Sequence, residues 1–145
     1  MSDEYLVVKT PLGEYLIKKG PSIKYSESDE WVNTAGNVAV IGVSDYAQKK
    51  LRQVVNVELP ETGRYVSKGE SVAIIESVKA VSDVYAPLSG KIVEVNKTLT
   101  LHPELVNTHP YGDGWLFKVE VLRPEELREL LTPEEYANKI MSREK

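Results

Sequence analysis

The sequence predicts a mostly β domain, a sandwich or small barrel with one short internal helix and helical segments at the C-terminal end. Three observations point there. Runs of β-branched and aromatic residues recur at regular spacing between about residues 22 and 120, and turn residues divide them. Helical periodicity is confined to one internal stretch and to the chain after Arg123. The 145 residues, 41% hydrophobic and 28% charged, suit one folding unit with a real core.

Residues 1–20 read as a hairpin extension. Tyr5-Leu6-Val7-Val8 and Tyr15-Leu16-Ile17 flank the turn signal Pro11-Leu12-Gly13, and the pair is expected to add to the edge of a larger sheet. Residues 21–122 hold the main domain, with strand-like runs at 38–43, 54–59, 71–76, 81–86, 91–95 and 115–121. One helix is expected within it, covering an opening of the β core. Ser44 caps it, Asp45 suits its first turn, Ala47 and Leu51 share a face, and Lys49, Lys50 and Arg52 suit its C-terminal end. Residues 123–145 read as a helical cover. Pro124-Glu125-Glu126 opens one segment with Leu127, Leu130 and Leu131 on a stripe. Thr132-Pro133-Glu134-Glu135 is a capping box with proline at the first helical position, and Tyr136 with Ile140 forms the packing face of the last helix. Gly63-Arg64-Tyr65-Val66 and Gly90-Lys91-Ile92-Val93 each place a turn glycine before a strand, a faint internal duplication.

Charge and composition exclude several classes of function. The net charge of −4 is spread along the chain, so no basic footprint for nucleic acid and no membrane-adjacent polybasic cluster exists. No apolar run reaches bilayer length, and residues 1–15 lack the pattern of a secretory signal, so a cytoplasmic protein is expected. Zero cysteines exclude disulfides, thiolate metal sites and a cysteine nucleophile. His102 and His109 read as loop residues, since no third ligand or nucleophile is spaced with them; neither a metal site nor a catalytic residue is expected.

Glu76-Ser77-Val78-Lys79-Ala80-Val81 joins two strand-like runs and places Lys79 at or beside a hairpin tip. Val-Lys is a poor two-residue turn, which favours pairs with positive φ such as Asn-Gly. Positions where local rules fail are enriched in functional sites. By position alone, one of 18 Lys and Arg residues in a turn is a solvated charge. A flexible ε-amine at a tip also suits a swinging cofactor that must enter several enzymes.

Gly69-Glu70, Ile75-Glu76-Ser77-Val78-Lys79-Ala80, Ser82-Asp83-Val84-Tyr85-Ala86-Pro87-Leu88-Ser89-Gly90 and Glu94-Val95-Asn96 resemble the lipoylation segment of glycine cleavage H proteins. The resemblance extends in order through Tyr25 with Glu30-Trp31-Val32, Ile41-Gly42-Val43-Ser44-Asp45-Tyr46-Ala47, Val57-Glu58-Leu59-Pro60, Leu105-Val106-Asn107 and Pro110-Tyr111-Gly112-Asp113-Gly114-Trp115. It covers about Tyr25 to the C-terminal helix. It implies a lipoyl/biotinyl-type β sandwich, or barrel-sandwich hybrid, and a non-enzymatic carrier with lipoic acid bound covalently to Lys79. The arm would shuttle the aminomethyl group of glycine from glycine decarboxylase, a pyridoxal-phosphate enzyme, to aminomethyltransferase, a tetrahydrofolate enzyme. Dihydrolipoamide dehydrogenase would reoxidise it, and a lipoate-protein ligase or lipoyl transferase would attach it.

Further roles follow from the same resemblance. Glu76 is a ligase recognition mark or a strand-end charge. Ser28, Glu30 and Asp83 match the positions that hold the amine of the loaded arm in a surface cleft, where charge-assisted hydrogen bonds suit a protonated amine and exclusion of water limits hydrolysis. Taken alone, the two carboxylates read as solvated charges. Asn96, Asn107, Pro110 and residues 112–115 are assigned to turns and packing. A monomer with small, transient interfaces is expected.

The sequence departs from the family pattern at Asp29, where histidine is usual, at Arg52, where glycine is usual, and in residues 1–20, which the compact bacterial pattern lacks. These departures leave open an H-like lipoate-binding protein of another pathway, such as sulfur oxidation, or a lipoate relay protein. A biotin carrier has similar architecture but brackets its lysine with methionines, whereas Val78 and Ala80 flank Lys79. A hydrolase or lyase using Glu30, Asp83 and a histidine lacks a motif, and an unmodified scaffold requires Lys79 to stay bare.

Overall fold

The computed structural model describes residues 4–145; residues 1–3 of the N-terminal extension lie outside the described residues. Strands β1 (Tyr5–Thr10) and β2 (Gly13–Lys18) pair antiparallel from Tyr5↔Lys18 to Thr10↔Gly13, leaving Pro11 and Leu12 as the loop. They form a two-stranded sheet of their own, which corrects the expected edge addition. The hairpin is held by a face instead of an edge. Val8, Tyr15 and Ile17 are buried with Ile23, Tyr25, Trp31, Tyr46, Tyr136 and Ile140 in one apolar cluster.

Six strands build the larger sheet: β3 (Ile23–Tyr25), β4 (Glu30–Ala35), β5 (Val38–Val43), β7 (Tyr65–Val66), β10 (Gly90–Val95) and β11 (Phe117–Val121), in the order β3-β4-β5-β11-β10-β7. Three more, β6 (Val54–Glu58), β8 (Ser71–Ser77) and β9 (Val81–Tyr85), form a second antiparallel sheet in the order β6-β8-β9. Val32, Ile41, Ile92 and Val119 from the larger sheet share a core with Val57, Ile75 and Val84 from the smaller. Each fully buried side chain of this kind contributes about 1.5–3 kcal/mol of transfer free energy, so the apolar space between the sheets is what makes the sandwich. The two glycine-led stretches of the faint duplication pair with each other, Gly90↔Val66 and Lys91↔Tyr65. At Gly90 a Cβ would stand 2.1 Å from the Glu120 carbonyl oxygen, so β10 and β11 can approach only with glycine there.

Helix α1 (Asp45–Leu51) starts where its cap predicts, with the Ser44 hydroxyl accepting the Ala47 N–H at 3.1 Å. Ala47 and Leu51 pack on the sandwich core while Tyr46 enters the hairpin cluster, so α1 lies between two cores instead of capping one. It is not the single internal helix that was expected. A 3₁₀ turn (Lys97–Thr100) and α2 (Leu105–Thr108) lie between β10 and β11, each burying one residue, Leu99 and Val106. Four-residue helices are too short to show a period.

Pro124–Glu129 is 3₁₀, and its leucine stripe divides: Leu127 and Leu130 pack on the sandwich, Leu131 on the hairpin cluster. Leu131 also exchanges both backbone hydrogen bonds with Tyr25, at 2.9 and 2.7 Å. Helix α3 (Pro133–Arg143) has the full capping box, with Thr132 and Glu135 bonded reciprocally, and buries Tyr136 and Ile140 completely. Just past α3, the Glu144 carboxylate accepts from the hydroxyls of Thr10, Tyr15 and Tyr46 and pairs with Lys50. One side chain thus ties β1, β2, α1 and the C-terminal end together. Among the described residues no helix is long and apolar enough to cross a membrane.

Candidate functional site

Lys79 lies in the turn between β8 and β9. Ser77 builds that turn. Its N–H donates to the Ala80 carbonyl at 2.8 Å, and its hydroxyl accepts the N–H groups of Lys79 at 3.2 Å and Ala80 at 3.0 Å. A serine closing its own turn substitutes for the positive-φ pair that the Val-Lys sequence lacks; only Asp29 and Arg52 have positive φ among the described non-glycine residues. The turn is also anchored from outside, because the Val78 N–H donates to the Gln53 carbonyl at 2.9 Å. Val78 and Val81 stay 65% and 69% exposed, so the lysine stands in an open apolar surround.

The Lys79 amine has no carboxylate partner among the described residues; its Nζ donates to the Lys50 carbonyl at 3.2 Å, at the end of α1. An exposed primary amine without an ion pair is chemically suited to acylation. Lys79 also borders a recess of about 300 Å³ together with Leu12, Tyr15, Lys50 and Arg52. Glu76, in β8, accepts from the Asn56 side-chain amide at 2.7 Å, a cross-strand bond that fixes its carboxylate three residues before the lysine.

Ser28 and Glu30 come together, but not as a solvated pair. Glu30 is 1% exposed; its Oε1 accepts from the Ser26 and Ser28 hydroxyls at 2.5 Å each, and its Oε2 accepts the Tyr85 N–H at 3.1 Å. Burial pushes its pKa up to about 7, against the opposing effect of the Ser26, Ser28 and Tyr85 hydrogen bonds, which favour the carboxylate. The carboxyl therefore links β4 to β9 through the interior. Asp83 is not part of this cluster. It is exposed on β9 and accepts from the Ser71 hydroxyl at 2.7 Å. A recess of about 370 Å³ beside Ser26, Ser28, Lys68, Tyr85 and Glu129 opens at the end of β9 away from the lysine.

Ser26 was not singled out in the sequence, although the spacing Ser26-x-Ser28-x-Glu30 places three hydrogen-bonding groups in one tight turn. Asn96 and Asn107 are turn builders. Asn96 donates to the carbonyls of Asp113 and Trp115 at 2.8 Å, while Asn107 accepts the Val54 N–H and donates to Gln48 and the Arg52 carbonyl. Pro110 offers its carbonyl to the Trp31 indole at 2.8 Å. His102 and His109 are exposed, next to Glu104 and Thr108 respectively, and far apart in role from the lysine turn.

A family model described as glycine cleavage H-protein matches residues 23–143. The probable glycine cleavage system H protein of Aeropyrum pernix is 48% identical over 143 residues, 99% of each chain, and so is similar through the N-terminal hairpin as well. The glycine cleavage system H protein of Thermotoga maritima is 56% identical over 113 residues, 78% of this chain and 91% of its own. Among solved structures, a glycine cleavage system H protein from Mycobacterium marinum superposes with a TM-score of 0.76 at 38% identity, covering 83% of this chain and 98% of its own.

Proposed function

Because the chain belongs to the glycine cleavage H-protein family, we propose that it carries lipoate as an amide on Lys79 Nζ. The protein is a lipoyl carrier of the glycine cleavage system. Held on Lys79, lipoate would supply a ring disulfide, one sulfur to carry the aminomethyl group and the other left as a thiol. The observation that carries the assignment is the open lysine at the β8–β9 turn, its amine without a carboxylate partner among the described residues and its backbone held by Ser77 and Gln53.

The chain's own residues then divide the work. Ser77 and the Val78–Gln53 bond hold the turn rigid, so that only the side chain swings. Glu76 presents a carboxylate beside the turn for the lipoate-protein ligase or lipoyl transferase. Ser28, Glu30 and Asp83 serve the amine of the loaded arm, in roles divided by accessibility. Asp83 lies four residues beyond Lys79, about 13 Å along an extended strand, and is the carboxylate open to an incoming ammonium. Ser28 lines the recess at the end of β9, and Glu30, occupied by internal donors, fixes its hydroxyl. The partners this assigns are glycine decarboxylase, aminomethyltransferase and dihydrolipoamide dehydrogenase. The carrier role resides in residues 21–122, with the hairpin and the C-terminal segment as braces.

Reconstitution tests this reading. With purified glycine decarboxylase, the lipoylated chain should support exchange of bicarbonate carbon into the carboxyl group of glycine, and Lys79→Arg should reduce exchange to the level without carrier. Equal exchange by the variant would place the attachment elsewhere.

A further inference from the structure

Lys79 does not extend straight into solvent. Its Nζ turns back to the Lys50 carbonyl, and the same side chain borders the recess whose other walls include Leu12, Gly13 and Tyr15 of the hairpin. Acylation leaves one hydrogen on that nitrogen, so the bond to the Lys50 carbonyl is open to the amide as it is to the amine. An arm leaving Nζ in this direction enters the recess first.

We propose that the N-terminal hairpin forms a resting place for the disulfide form of the arm, with the dithiolane ring lying in this recess against Leu12. The inference rests on the assignment of lipoate to Lys79. Three observations support it. Leu12 is 69% exposed at the hairpin tip and offers apolar surface there. The tip is preorganised, because β2 is fastened to α1 by the Lys49 amine on the Glu14 carbonyl at 2.8 Å and by the Leu16 N–H on the Asp45 carboxylate at 2.9 Å. The recess also has the charge to select among forms of the arm. Lys49 and Lys50 line it as ion pairs with Asp45 and Glu144, and Glu14 is paired with Lys9, so Arg52 leaves the recess one net positive charge. An uncharged ring is accepted there, whereas the ammonium of a loaded arm is repelled toward the Asp83 side.

The test compares unmodified and lipoylated protein by amide NMR in the disulfide form, with intact mass reporting the loading of Lys79 independently. Lipoylation should shift the amides of residues 12–15 and 49–52 as well as those of 77–80, and Leu12→Ser should abolish the first two sets alone. Dithiothreitol, whose thiols are oxidised as the ring is reduced to the dithiol, should reduce the arm roughly threefold faster in Leu12→Ser than in the wild type. Shifts confined to 77–80 with equal reduction rates would overturn the resting place while leaving the attachment intact. A chain that gains no lipoyl mass would overturn the attachment itself, and the resting place with it.

Discussion

Arg52 holds φ 70° and ψ −156°, a region that essentially only glycine occupies at low cost. Its N–H bonds the Gln48 carbonyl and its own carbonyl accepts from Asn107, so neighbours on both sides impose the conformation. Arg52→Gly should therefore stabilise the fold by about 1 kcal/mol in urea denaturation; an unchanged midpoint would mean the strain is relieved elsewhere. Glu30 carries a pH signature. Its folded-state value near 7 lies above the ordinary 4.5, so the folded protein holds this proton more tightly than the unfolded chain. The stability this lends is complete below about 4.5 and is lost as pH rises through 7, by at most about 3 kcal/mol. Glu30→Gln, whose amide can donate to the serines and accept from Tyr85, should flatten that slope between pH 4.5 and 7. At this scale the sequence was legible where a residue broke a rule. Lys79 stood out against turn chemistry, and Arg52 against the glycine usual in the family it resembles. Ser77 and Ser26 did not, because a serine that closes a turn looks like any polar loop residue until its hydroxyl's partners are known.

The hairpin, α1 and α3 behave as one element group, since Glu144 binds all of them and Tyr25 stacks on Tyr136 with ring centroids 4.4 Å apart. Burial raises the affinity of Glu144 for a proton, but the Lys50 ammonium and the Tyr15 and Thr10 hydroxyls outweigh it and hold the carboxyl at about 2. Its stabilisation is therefore present above the unfolded value of 4.5 and is lost as pH falls through 2. Glu144→Gln should lower the Tm at pH 7 and weaken the dependence of Tm on acid between pH 4.5 and 2; the hairpin amides should gain hydrogen exchange first. Long strands with clean alternation and helices with caps were legible as elements. Strand β4 was not, because Glu30, Trp31 and Val32 are buried in succession and show no period of two. Strand β3 has only three residues. The free-standing hairpin was misplaced for a related reason: alternation marks which face is buried, and says nothing of whether an edge is paired.

The molecule as a whole is a two-sheet sandwich braced by a separate hairpin, and it presents one long side chain at a turn. Sandwich architecture followed from the spacing of strands, and the carrier role from a segment whose turn, lysine and flanking strand match a known family. What the sequence did not show was the second core, in which nine buried residues from the hairpin, β3, β4, α1 and α3 meet, because its members are scattered from Val8 to Ile140. Nor did it show that Glu30 and Asp83 stand apart, since residues 53 positions distant in the chain have no relation until the sheets are assembled. The carrier role needs a lipoyl amide at Lys79, and peptide mass spectrometry after co-expression with a lipoate-protein ligase and lipoate would detect it. A lipoyl increment confined to Lys79 and absent in Lys79→Arg is the predicted result. An unmodified Lys79, under conditions where the same ligase loads a control domain, would contradict the account.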